Sequence, residues 1–241
     1  MQVSEKTILE YSLMANTDDT AVIIVAAGSS SRMQGINKIF LPILNVPVIV
    51  RTVRAFIKCG FKNIIVVTKG EDILKMQNLF NNYDVAVSDI IEGGATRGES
   101  VLNGINMVKD KKYVLIHDGA RPLVKPSLIT KVREALENNV AAALAVKIYD
   151  TIKKIDKNGN IYTTVDRDEL LGVQTPQGFL LTAYLDAVQK TDVTKVTDDC
   201  LVLEKAGYTI YPVISDNENI KITTKEDILL AEMILQKRGE E

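Results

Sequence analysis

The chain has 241 residues, which is enough for one large α/β domain or two small ones. Its 46% hydrophobic and 25% charged residues can form an ordinary core, and a formal net charge of -2 does not favour binding to nucleic acid or a membrane surface. The two cysteines lack the spacing of a disulfide framework or a zinc site, so we expect free thiols in a reducing cytoplasm.

Residues 1–20 have no apolar signal core, and we expect them to form a short extension before the fold begins near residue 21. Five apolar runs then predict β-strands at residues 21–27, 63–68, 84–90, 113–118 and 141–148. The runs are continuous rather than alternating, as in strands that are covered on both faces. Helical patterns between them cover residues 48–59, 72–80, 100–108 and 127–138. Alternation of this kind predicts an α/β fold with a three-layer, Rossmann-like, mostly parallel sheet.

The pattern changes at residues 150–167. Two polar–apolar alternating runs lie on either side of Asn158-Gly159, which is the strongest short signal for a β-hairpin. The hairpin is too polar for a core, so it is either a flexible excursion or a protruding arm that clasps a second subunit. A helix over 196–207, a strand over 208–214 and a terminal helix over 225–237 follow. With no repeat or linker, residues 21–241 are predicted to form a single domain.

The segment after the first predicted strand has the character of a phosphate-binding loop. Ala26, Ala27 and Gly28 are small enough for a ligand to lie against the backbone, whose N–H groups can form an anion-binding nest. Arg32 and Lys38 add positive charge. Neither the GxxxxGK[ST] nor the GxGxxG formula fits, and a solvated serine-rich turn is the alternative.

Other glycines and charged residues follow later strands. Asp118 and Arg121 come after the fourth strand, and Lys221 precedes the last helix. The loop after the third strand contributes Gly93, Gly94, Arg97 and Ser100. In open parallel sheets, ligands bind beyond the carboxyl ends of the strands, so these residues predict a site at that edge.

Eight motifs in series resemble the 2-C-methyl-D-erythritol 4-phosphate cytidylyltransferase family of isoprenoid biosynthesis, from about residue 21 to the last helix. They read AAGSSSRM…K, GGATRGESV, HDGARP, DTIK, VDR, TPQ, TDD and NIKIT. Two departures concern loop geometry: INKIF stands where the family more often has PKQY or PKQF, and Gly119 stands where alanine is usual. The resemblance implies a fold of the nucleotide-diphospho-sugar transferase type.

The resemblance also implies roles for individual residues. The catalytic group comprises Arg32, Lys38, Lys221 and Asp118, with Asp118 holding Mg²⁺ or another divalent cation. Nucleotide contacts come from Ala26, Ala27, Gly28, Gly94, Ala95 and Ser100. Substrate contacts come from Arg121, Thr175 and Thr197 of one subunit and from Thr151 and Arg167 of the partner, which implies a homodimer joined by the hairpin arm of residues 150–167.

The residues suit nucleotidyl transfer from CTP to a polyol phosphate. No convincing nucleophile–base pair is present, but a phosphate attacker is already anionic and needs charge neutralisation and in-line positioning. Each charged residue also has an ordinary alternative: Lys38 can be a surface cation, and Lys221 can pair with Asp216 or Glu218. His117, the single histidine, precedes Asp118 on a strand and is predicted to face a helix layer as a packed core residue.

Three other functions remain open. A ribitol-5-phosphate cytidylyltransferase would share the fold, the nucleotide site and the arm. A sugar-1-phosphate nucleotidyltransferase usually has a longer C-terminal region than this chain. A non-catalytic nucleotide-binding module would not require Arg32, Lys38, Asp118 and Lys221 together.

Overall fold

The computed structural model describes residues 17–28 and 37–240. The strands are β1 (Thr20–Val25), β2 (Pro42–Ile43), β3 (Val46–Pro47), β4 (Ile64–Thr68), β5 (Asp89–Glu92), β6 (Tyr113–Asp118), β7 (Ala141–Lys147), β8 (Lys153–Ile155), β9 (Ile161–Thr164), β10 (Leu171–Leu180) and β11 (Tyr211–Ile214). The α-helices are α1 (Val48–Lys58), α2 (Ile73–Asn82), α3 (Arg97–Asn106), α4 (Pro126–Ala135), α5 (Leu181–Gln189), α6 (Cys200–Lys205) and α7 (Lys225–Arg238). Within these residues, no helix is both long and apolar enough to cross a bilayer.

Seven strands form the central sheet in the order β11-β7-β10-β6-β1-β4-β5. Every neighbouring pair is parallel except those of β10, which runs antiparallel between β6 and β7. Helices cover both faces, so the predicted three-layer, mostly parallel α/β class is confirmed. The carboxyl ends of β1, β4 and β6 lie at one edge of the sheet, where their loops can converge.

The alternation of side chains along β1 explains its continuous apolar sequence. Val22 and Ile24 pack into a core with α1, α2 and α4, whereas Ala21 and Ile23 pack into a second core with α3, α5 and α6. All four side chains are fully buried. A strand between two helix layers has no polar face, because successive side chains enter opposite cores.

Several predicted boundaries were wrong. The third strand occupies 89–92 rather than 84–90, because Asp84 adopts a left-handed conformation (φ 52°) and the Val85 amide donates to the Phe80 carbonyl at the end of α2. The helix predicted over 127–138 occupies 126–135 instead. Strand β10 and helix α5 were not predicted at all.

The predicted hairpin is present as β8 and β9, and every residue of both strands is exposed. Gly159 takes a positive φ of 86° at the tip, and the Asp156 carboxylate accepts hydrogen bonds from the backbone amides of Asn158 and Asn160. Arg167 Nη1 donates to the Tyr149 carbonyl at 2.8 Å and closes the base of the hairpin. The pairing of β8 with β9 and these local hydrogen bonds hold the arm together, because none of its strand residues is buried.

The fold includes residues that the sequence assigned to the N-terminal extension. Arg133, only 1% exposed, donates to the Asp19 carboxylate at 3.0 Å and to Thr20 Oγ1 at 2.7 Å. Its guanidinium also lies 4.1 Å from the centre of the Tyr113 ring. A buried arginine requires such partners, so Asp19 and Thr20 belong to the packed structure.

Candidate functional site

A pocket of about 390 Å³ opens at the carboxyl ends of the central strands. Its lining includes nine residues that the sequence placed in the site: Ala26, Ala27, Gly28, Lys38, Gly94, Ala95, Ser100, Asp118 and Lys221. Arg32 lies outside the described residues. The pocket therefore joins four segments that are far apart in the chain, in the position expected for a ligand site of an open α/β sheet.

The loop after β1 leaves its backbone accessible. The Ala26 amide donates to the Val67 carbonyl at 2.7 Å, which continues the β1–β4 ladder to the pocket wall. Among the described residues, no atom lies within 4 Å of where a side chain on Gly28 would begin. A ligand can thus approach this backbone without displacing a side chain of the described residues.

The loop after β5 is held by the start of α3. Thr96 caps the helix: its side chain accepts from the Glu99 amide, and the Glu99 carboxylate accepts from the Thr96 amide. Ser100 Oγ accepts from the Gly94 amide at 3.1 Å and donates to the Thr96 carbonyl at 2.8 Å. A Cβ on Gly93 would lie 2.8 Å from the Ala27 Cβ, so glycine lets this loop contact the loop after β1.

Asp118 lies at the centre of a cluster of cations. Its carboxylate is 2.9 Å from Lys221 Nζ, 3.4 Å from Arg121 Nε and 3.8 Å from Arg97 Nε. Burial raises the pKa of Asp118, but the three cations outweigh burial and hold that pKa well below its ordinary value. The carboxylate is consequently ionised at every physiological pH.

Lys221 forms an ion pair with Asp118 rather than with the alternative partners Asp216 and Glu218. Those two carboxylates instead flank Lys125, whose Nζ is 2.9 Å from Glu218 Oε2. Arg238 Nε also donates to Glu218 at 3.0 Å. The ammonium group of Lys221 is therefore directed to the pocket.

Arg97 is a site residue that the sequence noted but did not assign. It lines the pocket, and its Nη2 lies 2.7 Å from Oδ2 of Asp199, which is fully buried in the TDD motif. Burial lowers the pKa of Arg97, whereas Asp199 and Asp118 raise it above the ordinary value. The sequence could have indicated Arg97 as a site residue, because it directly follows Thr96, which caps α3, and lies close to the Gly93-Gly94 pair.

The TPQ and TDD motifs contact each other. Gln177 Nε2 donates to Asp198 at 2.9 Å, and Gln177 Oε1 accepts from the amides of Asp199 and Cys200 at 3.0 and 3.1 Å. This side chain satisfies backbone donors at the start of α6. The contact anchors the segment that carries Thr197, which is exposed.

Other predicted substrate residues lie outside the pocket lining. Arg121 is largely buried beside Asp118, and its Nη1 donates to the Asn219 carbonyl at 2.8 Å. Thr175 is buried behind Asp118. Thr151 and Arg167 are exposed at the two ends of the arm.

His117 is fully buried, which confirms the prediction of a core histidine. Its ring packs edge-on against Phe56 at a centroid distance of 5.0 Å. Nε2 lies 3.2 Å from the Arg121 carbonyl, and Nδ1 lies 3.0 Å from Thr175 Oγ1. Burial lowers the pKa of His117 to about 4, so the ring is neutral at physiological pH.

We expect this buried ring to make stability fall as the pH is lowered. Between pH 6.5 and about 4, the unfolded chain binds a proton at His117 that the folded chain does not. The free energy of unfolding should therefore drop by about 3 kcal/mol between pH 8 and pH 4. The effect is the difference in pH dependence between the parent and His117→Phe, each measured by urea unfolding. Burial raises the pKa of Asp199, which makes an opposite contribution to stability, but this contribution is common to both proteins and cancels in the difference. An equal pH dependence in both proteins would contradict it.

Among the described residues that line the pocket, Asp118 is the one carboxylate that could bind a divalent cation. Within the described residues, no group of three or more His, Cys, Asp or Glu side chains is placed to hold a metal ion by itself. Mg²⁺ commonly binds through one or two carboxylates together with substrate phosphates, so an always ionised Asp118 fits such a role.

Comparisons with known proteins identify the family of this chain. The family described as "IspD: 2-C-methyl-D-erythritol 4-phosphate cytidylyltransferase" matches residues 20–237. A protein of that name from Bacillus cereus (strain ATCC 10987 / NRS 248) is 42% identical over 219 residues, covering 89% of this chain and 96% of the relative. One from Alkaliphilus oremlandii is 38% identical, covering 94% and 99%.

Solved structures extend the similarity to the fold. The 4-diphosphocytidyl-2C-methyl-D-erythritol synthase of Anaerococcus prevotii superposes with a TM-score of 0.80 at 30% identity, covering 91% of this chain and 98% of that one. The Francisella tularensis 2-C-methyl-D-erythritol 4-phosphate cytidylyltransferase gives a TM-score of 0.74 at 33% identity, covering 89% and 98%. The chain belongs to the 2-C-methyl-D-erythritol 4-phosphate cytidylyltransferase family.

Proposed function

We propose that the protein transfers CMP from CTP to 2-C-methyl-D-erythritol 4-phosphate, giving 4-diphosphocytidyl-2-C-methyl-D-erythritol and pyrophosphate in non-mevalonate isoprenoid biosynthesis. The observation that carries the proposal is the grouping of Lys38, Asp118 and Lys221 around a pocket with an accessible backbone. The family match over nearly the whole chain supports the same reaction.

The two loops suit the nucleotide. Ala27 and Gly28 present backbone N–H groups to the triphosphate, and Gly94 and Ala95 present backbone groups to the cytosine. The Ala26 amide is bonded to the Val67 carbonyl, so Ala26 contributes to the nucleotide site by its small side chain. Ser100 holds the second loop through Gly94 and Thr96. Backbone contacts of this kind can distinguish cytosine from other bases because the glycine positions allow close approach.

Charge neutralisation is the main catalytic effect in this proposal. The acceptor phosphate is already anionic, so Arg32, Lys38 and Lys221 serve to stabilise the triphosphate and the charge that develops as pyrophosphate leaves. Mg²⁺ or another divalent cation held by Asp118 would supply further neutralisation of the phosphate oxygens. Among the described cations, Arg97 contributes by keeping Asp118 in place.

We also propose that the acceptor site is shared between two subunits of a homodimer. The arm presents Ile155, Ile161 and Tyr162, each more than 60% exposed, which is an unusual amount of apolar surface for so short a hairpin. Its two ends carry Thr151 and Arg167, proposed to reach the partner's acceptor. Arg121 and Thr197 would contact that acceptor from the subunit that binds CTP.

Residues 19–241 act as a single cytidylyltransferase domain with the arm as its dimerisation element, because Asp19 and Thr20 pack against Arg133. The enzyme functions in the cytoplasm. The two cysteines support a reducing compartment, because neither forms a disulfide within the described residues.

A pyrophosphate-release screen tests the proposed function. CTP, UTP and GTP are each combined with methylerythritol phosphate and with ribitol phosphate, in the presence of Mg²⁺. We expect release with CTP and methylerythritol phosphate alone. Release with CTP and ribitol phosphate instead would establish the alternative acceptor, and no release in any combination would refute enzymatic transfer.

A further inference from the structure

We propose that His117 is a positioning residue that fixes the Thr175 hydroxyl and, through it, the backbone of Asp118. This inference deepens the proposed function and rests on it for its kinetic readouts. It assigns a role to the one histidine, which the transfer chemistry does not use.

The hydrogen-bond directions follow from the partners of the ring. The Arg121 carbonyl, 3.2 Å from Nε2, can only accept, so Nε2 carries the hydrogen of the neutral ring. Nδ1 must then be the acceptor, and the Thr175 hydroxyl, 3.0 Å away, donates to it. The chain of bonds ends at the Asp118 amide, which donates to Thr175 Oγ1 at 3.0 Å.

The hydrogen bond from the Asp118 amide to Thr175 Oγ1 stands in place of a backbone hydrogen bond between β6 and β10. The β10–β6 ladder ends at the pair Gln177–Ile116, and the same register places Thr175 opposite Asp118. The Thr175 carbonyl does not continue the ladder, because it accepts a hydrogen bond from Asn219 Nδ2 at 3.0 Å. Beyond that point, the Thr175 side chain takes up the Asp118 amide that the ladder no longer pairs. The position of the catalytic carboxylate thus depends on a side-chain hydroxyl, and that hydroxyl depends on the ring.

The same bonds leave Thr175 no hydrogen to offer a phosphate. A hydroxyl has one donor, and here His117 Nδ1 accepts it. Thr175 is therefore assigned to positioning rather than to direct donation to the acceptor substrate. The ring itself cannot shift to release it, because Phe56 and the Arg121 carbonyl hold the opposite side.

Kinetic variants test the inference. Thr175→Val removes the hydroxyl at nearly constant shape, and we expect kcat to fall on the order of 10-fold, whereas Thr175→Ser should stay within about 3-fold of the parent. His117→Phe should fall by a similar factor. Because both act through one bond, the double variant should be no more than about 2-fold slower than the slower single variant.

Controls separate positioning from folding. Thr191→Val removes another buried threonine hydroxyl, one with no hydrogen-bond partner among the described residues, and should keep the parental kcat. Circular dichroism and assay well below the unfolding midpoint ensure that kcat refers to folded enzyme. Parental kcat in folded Thr175→Val, or losses that multiply in the double variant, would overturn the inference.

A second readout is independent of activity. The chain has one histidine, so its imidazole nitrogens give a single set of signals in ¹⁵N-detected long-range NMR spectra. We expect the tautomer with hydrogen on Nε2 at pH 7, and a shifted Nδ1 signal in Thr175→Val. Hydrogen on Nδ1, or an unchanged Nδ1 signal, would overturn the inference even if the parent showed no transferase activity. An inactive parent with the expected signals would refute the proposed function alone.

Discussion

Lys221→Ala is expected to lower turnover by about 10²-fold or more while leaving the fold intact. Loss of a cation that stabilises charge in a transition state commonly costs about 3–4 kcal/mol of activation free energy. The ammonium group of Lys221 pairs with Asp118 at the pocket, and its side chain is 40% exposed, so its removal leaves the buried core in place. Arg97 and Arg121 remain beside Asp118 in the variant, so the carboxylate is not left unpaired.

Steady-state rates of pyrophosphate release measure this effect. Lys190→Ala is a matched control, because Lys190 forms a surface ion pair with Asp186 and does not line the pocket. Turnover of Lys221→Ala near that of the control would remove Lys221 from the mechanism. Lys38→Ala should behave in the same way as Lys221→Ala.

Mixing two inactive variants, Lys38→Ala and Arg167→Ala, is expected to restore activity. If each site takes Lys38 from one subunit and Arg167 from the other, a mixed dimer has one intact site and one doubly defective site. Random exchange of equal amounts should then recover roughly a quarter of the parental activity, because half of the dimers are mixed and each has one working site.

A same-side mixture is the matched control. Lys38 and Lys221 line one pocket of one chain, so mixed dimers of Lys38→Ala and Lys221→Ala have a defect in both sites and should show no recovery. Absence of recovery with Arg167→Ala, once exchange has been verified by differently tagged subunits, would contradict sharing of the site. A monomer with full activity would do the same.

Local sequence patterns were sufficient for the fold class and for four interior strands of the sheet. Continuous apolar runs predicted β1, β4, β6 and β7 to within a few residues, because a strand covered on both faces has no polar alternation. The Asn158-Gly159 pair located the hairpin, because few residues other than glycine and asparagine adopt the backbone of a tight turn. These features depend on near neighbours in the chain.

Strand β10 is an element that local sequence patterns did not predict. Its first half is partly exposed at the base of the arm, and its second half is buried between β6 and β7, with a register shift between Val173 and Gln177. No single periodicity covers both halves. The insertion of an antiparallel strand between two parallel ones is decided by pairing across the sheet, which adjacent residues do not encode.

The sequence by itself determined which residue types gather at the carboxyl ends of the strands, since cations, glycines and Asp118 follow the apolar runs directly. Only the tertiary structure decided their partners. Lys221 forms an ion pair with Asp118, Arg97 forms one with Asp199, and His117 forms a hydrogen bond with Thr175. The physical reason is distance along the chain. Periodicity and turn chemistry act over a few residues, whereas each of these pairs joins segments brought together by strand order and helix packing alone.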